Sequence, residues 1–298
     1  MVILDVVMLT GVAMGHAPAE RRTYPIGVVV LHYRNIQDTK KCLESLHVTD
    51  PCPQRIIVVN NPIGAVRDQE PREIMISDSS TTVISPDKNL GYSGGMNLGI
   101  RSLFADDSLK VIVLLNNDTI VKPNFLLPLY SAIQDGSEYQ LATPMILFAG
   151  SDRIWSAGER VWYPFLWARR SAAKTNRGGS RKISTINSVT GCAMAVRREV
   201  FERIGLFDEN YFAYVEDVDF CLRANAAGFR FTCCPESVVW HKESSSLGDF
   251  SPAKVYLNVR NKAYFIRKNI HPIWWPLSWP WDLLTVLSWA FRALLKRK

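Results

Sequence analysis

None of the six cysteines of this 298-residue chain, Cys42, Cys52, Cys192, Cys221, Cys233 and Cys234, stands at a metal-ligand spacing from another. The one adjacent pair, Cys233-Cys234, would close only as a strained disulfide. A cysteine-based zinc site and a disulfide scaffold are therefore excluded, and the thiols read as reduced, as in a cytosolic protein. The G-x-G-x-x-G order of a dinucleotide site is missing too, which weakens an oxidoreductase reading. Neither Met1 to Gly15 nor the apolar run after Asp282, interrupted by Arg292, is long enough to span a bilayer. The N-terminus also lacks the basic flank of a signal peptide, since Asp5 comes early and Arg21-Arg22 follows the apolar part, so residues 1–24 read as an extension ahead of the domain.

What is present is apolar substance and positive charge. At 47% hydrophobic and 11% aromatic, the chain can bury a sizeable core as one large α/β domain or two small ones. A net charge of +7 calls for an anionic partner: nucleic acid, a phosphorylated small molecule or a membrane surface.

The most unusual stretch is Tyr214-Val-Glu-Asp-Val-Asp-Phe220, where Glu216, Asp217 and Asp219 sit among aromatic and aliphatic neighbours. Buried charge is costly unless paired, metal-bound or neutralised, so the cluster is a site candidate. Helical spacing of Val218, Leu222 and Ala226, closed by Gly228, places it at the start of a helix. There Glu216 falls in the first turn, where the helix dipole favours its ionised form. Asp217 and Asp219 point different ways, so at most two of the three acids share a site.

Ahead of that cluster the chain reads as alternating strands and helices. Ile26 to His32 is a β-branched run that fits a strand buried on both faces, and Asp38 to Leu46 has helical spacing with Asp38 as N-cap. Arg55 to Val59 is a second strand, so the three make a βαβ unit with a parallel sheet. Ligands of such sheets bind at the carboxyl ends of the strands, here around His32-Tyr33-Arg34 and Asn60-Asn61. Thr82 to Ser85 is a third strand, and Asn89-Leu-Gly-Tyr-Ser-Gly-Gly-Met-Asn97 opens a helix to about Phe104. Its glycines let backbone approach a ligand, or simply make a tight turn, and the helix start offers amides to an anion. Lys110 to Leu115, a strongly apolar strand, runs into Asn116-Asn-Asp118; oxygen ligands there suit Mg²⁺ or Mn²⁺ carrying a pyrophosphate, and a strand-ending turn is the plainer alternative.

Arg160 to Lys182 holds seven basic residues with Gly178-Gly179 and no periodicity, as in a positively charged loop. A strand from Ser188 to Val196, a helix from Arg198 to Ile204 and a strand Ser237 to Trp240 ending at His241 complete the domain. Tyr256 to Lys268 reads as a basic amphipathic helix, and Trp274, Trp275, Trp279, Trp281 and Trp289 precede Lys296-Arg-Lys298. That tail, residues 270–298, suits an anionic membrane surface, or packing back on the domain or on a dimer partner.

Five segments in order resemble one family, the family 2 inverting glycosyltransferases of GT-A fold, in their rhamnosyltransferase-like branch. They are Val28-Val-Val-Leu-His-Tyr-Arg-Asn35, Ile57-Val-Val-Asn-Asn61, Asn89 to Asn97, Leu114-Leu-Asn-Asn-Asp-Thr119, and Thr190-Gly-Cys-Ala-Met through Gly205-Leu-Phe-Asp-Glu and Tyr214 to Arg223 as far as His241. The resemblance implies an α/β GT-A fold with a central, mostly parallel sheet over residues 25–250 and a helical appendage over 251–298. It puts Asn116-Asn-Asp118 at the family's D-x-D motif, with Asp118 a metal ligand and Asn116 departing from the first Asp. His241 matches a histidine that completes the metal site, Asp217 the catalytic base and Glu216 its partner. His32, Tyr33, Arg34, Asn60, Asn89, Gly91, Gly94, Asn97 and Asn117 fall on the nucleotide-sugar side, and Trp155, Gly191 and Cys192 on the acceptor side. Asn60 replaces an aspartate that binds the nucleobase, which leaves uracil against thymine open. Implied with them are Mg²⁺ or Mn²⁺, a dTDP- or UDP-sugar donor, a saccharide or lipid-linked acceptor, and no nucleic acid. Two other readings stay open: a nucleotidyltransferase, which lacks here its basic glycine-rich loop after the first strand, and a binding protein without turnover, motivated by Asn60 and Asn116.

Overall fold

The computed structural model describes residues 23–63, 79–163, 166–170, 185–242, 251–280 and 283–284. The expected N-terminal extension up to residue 22, most of the basic stretch before Ile186, and the last fourteen residues of the tail lie outside them.

The first half is built around a strand buried on both faces. Strand β1 (Thr23–His32) leads to helix α1 (Ile36–His47), and β2 (Cys52–Asn60) and β3 (Thr81–Ile84) follow. Helix α2 (Gly91–Leu103) then leads to β4 (Val111–Asn116). Along β1, Val28 and Val30 pack with Leu43 and Leu46 of α1, while Val29 and Leu31 pack with Met96 and Ile100 of α2, all of them buried. Side chains alternate between faces, and both faces are covered, so the strand reads as a continuous apolar run. Helix α1 starts one turn before the position expected from Asp38. Extended Asn35 is the cap, its carboxamide oxygen accepting the amides of Gln37 (3.0 Å) and Asp38 (3.3 Å). Asp38 is instead inside the first turn, where its carboxylate holds Lys242 Nζ at 3.0 and 3.2 Å.

The second half turns the sheet mixed. It contributes β5 (Thr119–Val121), α3 (Leu126–Ile133), β6 (Leu141–Phe148), β7 (Ile154–Ser156), β8 (Glu159–Trp162) and β9 (Trp167–Arg170). Then come β10 (Ala193–Arg197), α4 (Arg198–Ile204), α5 (Glu216–Ala226), β11 (Phe231–His241) and α6 (Pro252–Asn269). Strand order in the main sheet is β3-β2-β1-β4-β10-β6-β11-β5, with β7 paired to β6. The β3 to β4 portion is parallel, β10 runs antiparallel between β4 and β6, and β5 runs antiparallel to β11.

Two sequence expectations are corrected here. The apolar strand begins at Ala193 and not at Ser188, because the backbone at 190–192 turns to meet Asp217. The basic stretch is not aperiodic at its start: β8 and β9 form an antiparallel hairpin, with Asn187 accepting the Val161 amide (2.8 Å) and donating to its carbonyl (3.0 Å). Strands of four residues are too short to show a period, and their partner Asn187 lies well beyond them in sequence.

Helix α6 packs onto the domain. Phe265, Ile266 and Ile270 form a cluster with Tyr211, Val215, Val218 and Leu222. Between α2 and the sheet the approach is close enough that a Cβ on Gly99 would lie 2.4 Å from Val29 Cγ1. Gly99→Ala should therefore lower stability by about 1–3 kcal/mol through overpacking, although alanine favours a helix by about 1 kcal/mol. Urea denaturation would measure it, and a variant more stable than the native chain would contradict the packing argument.

Candidate active site at the carboxyl ends of the strands

The register of the sheet sets His32 beside Asn60, and Leu31 beside Asn116, so the polar ends of three strands form one edge. His32 is buried, its Nδ1 2.6 Å from Thr39 Oγ1, and Asn117 donates to that same hydroxyl at 2.9 Å. Tyr33 and Arg34 extend this edge outward; Arg34 adopts φ 69° and its guanidinium lies over the Tyr33 ring at 5.2 Å. Asn60 is buried and donates to Ser85 Oγ at 3.3 Å.

Asn61 organises the glycine-bearing loop. Its Nδ2 donates to Asn89 Oδ1 and to the Gly91 carbonyl, both at 3.0 Å, and its Oδ1 accepts the Leu90 amide at 2.8 Å. Asn89 in turn accepts the Gly91 amide at 2.8 Å. The amides at the start of α2 are therefore not free for an anion, contrary to the expectation: those of Tyr92 and Ser93 donate to the Phe212 carbonyl at 2.6 and 3.2 Å. Gly91 makes that approach possible, since a Cβ there would lie 2.3 Å from the same oxygen and its φ of 69° disfavours any other residue. Gly94 faces Leu90. Asn97 is buried and tied to Phe207 and Glu209 by three hydrogen bonds of 2.9 to 3.0 Å.

Asp118 and His241, more than a hundred residues apart, are brought together by the β5–β11 pairing, which sets His241 opposite Thr119. His241 Nε2 is 3.3 Å from Asp118 Oδ1, and the Lys242 amide donates to the Asp118 carbonyl at 3.0 Å. Trp155 sets its ring edge-on to the imidazole at 4.9 Å. An acidic oxygen and an imidazole nitrogen so close, both nearly buried, would suit as a donor pair for a divalent cation. Among the described residues no third His, Cys, Asp or Glu joins them.

The acids of α5 sit on the other side of the edge. Asp217 is partly buried, and its carboxylate accepts the Gly191 amide at 2.9 Å and the Val218 amide at 2.8 Å. Burial raises its pKa, and these amides pull it back down. Glu216 is 5% exposed and has no hydrogen-bond partner on Oε2. Burial first, and the charge of Asp217 second, push its pKa well above the ordinary value. Of the two, Glu216 is the more strongly shifted toward its protonated form. The direction is opposite to the dipole expectation: a first-turn position is worth about 0.3–1 kcal/mol, less than the cost of burying a carboxylate with one oxygen left without a donor. Asp219 is fully buried away from both, held by Arg223 (2.9 Å), Tyr211 (3.0 Å), Lys268 (2.9 Å) and Asn269 (3.0 Å).

The turn at 190–192 joins the two sides. Gly191 donates to Asp217, its carbonyl accepts Tyr92 Oη at 2.5 Å, and the buried Cys192 accepts the Asn116 amide at 3.0 Å. The thiols of Cys42, Cys221, Cys233 and Cys234 are pushed up to about 12, chiefly by burial, so none is a thiolate nucleophile at neutral pH.

Residues not singled out from sequence complete the arrangement. The backbone before α5 is left-handed at Phe212 (φ 58°), Tyr214 (72°) and Val215 (76°), a cost of about 1–3 kcal/mol each. Tyr92, Thr39 and Asn261 hold the surrounding loops. Only Asn261 carried a readable signal, as a polar side chain on the Phe265 face of an otherwise amphipathic helix.

The family model described as "Glycosyltransferase like family 2" matches residues 24–261. A low-salt glycan biosynthesis hexosyltransferase, Agl10 of Haloferax volcanii, is 23% identical over 82% of this chain and 75% of its own length. An N-acetylglucosaminyl-diphospho-decaprenol L-rhamnosyltransferase of Mycobacterium tuberculosis is 26% identical over 85% of this chain and 87% of its own. Among solved structures, mannosyltransferase PcManGT from Pyrobaculum calidifontis, in complex with GDP-Man and Mn2+, superposes with a TM-score of 0.58 at 16% identity, over 91% of this chain and 75% of its own. GalNAc-T7 with UDP, GalNAc and Mn2+ does so with a TM-score of 0.63 at 14% identity, over 81% of this chain and 47% of its own. The fold is GT-A, and the chain belongs to glycosyltransferase family 2.

Because burial raises the folded pKa of Glu216, its contribution to stability is complete below about pH 4.3 and falls as pH rises toward its folded pKa. Glu216→Gln has no such loss. Its stability relative to the native chain should grow with pH above that point, by up to about 1.4 kcal/mol per unit. Thermal unfolding from pH 4 to 8 would measure the difference, and parallel curves would mean that Glu216 ionises in place.

Proposed function

We propose that this family 2 glycosyltransferase transfers a sugar, rhamnose foremost, from a dTDP- or UDP-sugar to a saccharide or lipid-linked acceptor, with inversion and with the help of Mg²⁺ or Mn²⁺. The observation that carries the reading is the unequal setting of the acid pair: the Asp217 carboxyl is aimed by two backbone amides, while Glu216 Oε2 beside it has no donor. A partly buried carboxylate of raised pKa suits a general base, worth about 10²–10⁴-fold. In the single displacement, Asp217 takes the proton of the acceptor hydroxyl as its oxygen bonds to the anomeric carbon. The anomeric carbon–oxygen bond breaks on the far side, and the electron pair leaves with the nucleoside diphosphate.

Asp118 and His241 would hold the cation, which when bound neutralises charge building on the diphosphate. The His32, Thr39 and Asn117 cluster and the Asn60 edge would receive the nucleoside. Trp155, Gly191 and Cys192 would border the acceptor. The relatives support the donor and acceptor classes: the Mycobacterium tuberculosis enzyme is named as an L-rhamnosyltransferase for N-acetylglucosaminyl-diphospho-decaprenol, and a dTDP-rhamnosyl transferase of Shigella flexneri is 25% identical over 62% of this chain and 63% of its own.

Asp217→Asn is expected to abolish release of nucleoside diphosphate from a donor panel led by dTDP-rhamnose, with Mn²⁺ present, while nucleotide affinity stays within about twofold. Turnover retained in that variant would rule Asp217 out as the base. Donor binding without release by the native chain would favour a binding module in place of an enzyme.

The end of the chain supports a peripheral contact with an anionic membrane from the cytoplasmic side. Ile273 (72% exposed), Leu277 (55%), Trp274 (45%) and Trp279 (43%) are open to solvent, near Arg267 and ahead of the basic Lys296-Arg-Lys298. Among the described residues no helix is long and apolar enough to cross. Flotation with anionic vesicles should be lost when residues 270–298 are removed; equal partitioning would leave that segment no membrane role.

A further inference from the structure

The helix from Pro252 to Asn269 looks at first like an appendage, yet one of its side chains reaches the backbone that aims the acids. Asn261 is fully buried, and its Nδ2 lies 2.6 Å from the Tyr211 carbonyl, 2.7 Å from that of Ala213 and 2.8 Å from that of Tyr214. An amide nitrogen has two hydrogens, so three carbonyls this close share them and are held to one geometry. Its Oδ1 accepts Arg260 Nη1 at 2.9 Å, and the same nitrogen of Arg260 donates to the Asn210 carbonyl at 2.8 Å. The carboxamide therefore cannot rotate without losing bonds at both ends.

The backbone so held is the left-handed run at Phe212, Tyr214 and Val215, conformations that none of these residues adopts freely. The opposite side of that run is fixed by α2, whose Tyr92 and Ser93 amides take the Phe212 carbonyl. Val215 is the residue from which α5 starts, and Asp217 follows two positions on. A change in the turn would swing the first turn of α5 and with it the Asp217 carboxylate, away from the Gly191 amide.

We propose that Asn261 is a positioning residue for Asp217, holding the strained turn that aims the carboxylate; as a role in the reaction this rests on the reading of Asp217 as base. The helix that carries it is then part of the catalytic machinery and not only a tether for the tail.

The test is amide hydrogen exchange in the full chain, read at Gly191 and Val218, whose N–H groups bond the Asp217 carboxylate. In Asn261→Ala both amides should exchange at least about tenfold faster. Tyr264→Phe is the control, because it removes a bond from the same helix to Asp208 (3.0 Å) without touching the carbonyls of the turn. It should lower stability yet leave both amides as they are. Should Asn261→Ala fail to fold, Asn261→Ser, which keeps one donor, carries the same comparison. With a donor that the native chain turns over, Asn261→Ala should lower kcat about 10- to 100-fold with little change in KM. Unchanged exchange at Gly191 and Val218 in a folded Asn261 variant would overturn the proposal, as would equal acceleration in Tyr264→Phe. A native chain that releases no nucleoside diphosphate would sink the enzymatic reading instead, while the exchange data still decide whether Asn261 holds Asp217 in place.

Discussion

The constraint on which the site depends is that two adjacent carboxyl groups, Glu216 buried and Asp217 partly buried, stand at the start of one helix, where each charge disfavours the other. The protein resolves this by giving their environments different chemistry. Backbone amides from Gly191 and Val218 meet Asp217, while no donor reaches Glu216 Oε2, so the proton is favoured on the glutamate and the negative charge on the aspartate. That division requires the helix to begin at an angle that ordinary backbone would not give. The left-handed turn from Phe212 to Val215 supplies the angle, held by the amides of α2 on one side and by Asn261 on the other.

The rest of the fold places this pair opposite the polar ends of the parallel strands. The change of direction at β10 brings residues 190–192 against β4, so Cys192 bonds Asn116 while Gly191 bonds Asp217. The antiparallel β5–β11 pairing carries His241 to Asp118 on the same edge. The strand-end groups and the acids of α5 are thus linked through one short turn and through backbone bonds, which resist displacement better than pairs of long side chains.

What could be read from the residues follows from how local each signal is. The β-branched run of β1, covered on both faces, announced a buried strand, and the acids among aromatic neighbours announced a site. The helix start at Asn35 was misplaced onto Asp38 because either residue type caps well, and the partner that claims Asp38 is Lys242, far along the chain. The amides of α2 looked available because the carbonyl that takes them, Phe212, lies over a hundred residues away. Glu216 looked ionised because a dipole is visible in sequence, whereas burial without a partner is not. The role of Asn261 is not legible for the same reason: its place on the Phe265 face marks it as unusual, but its three acceptors are backbone atoms of another segment.

A carboxylate placed beside an anomeric carbon could act as base or as nucleophile, and the two roles leave different stereochemistry in the product. The most direct measurement is therefore the anomeric configuration of the first product, by NMR, from whichever donor of the panel releases nucleoside diphosphate. The division of the acid pair, with Asp217 taking the acceptor's proton in one displacement, predicts a configuration opposite to that of the donor sugar. Retention of the donor's configuration would contradict it.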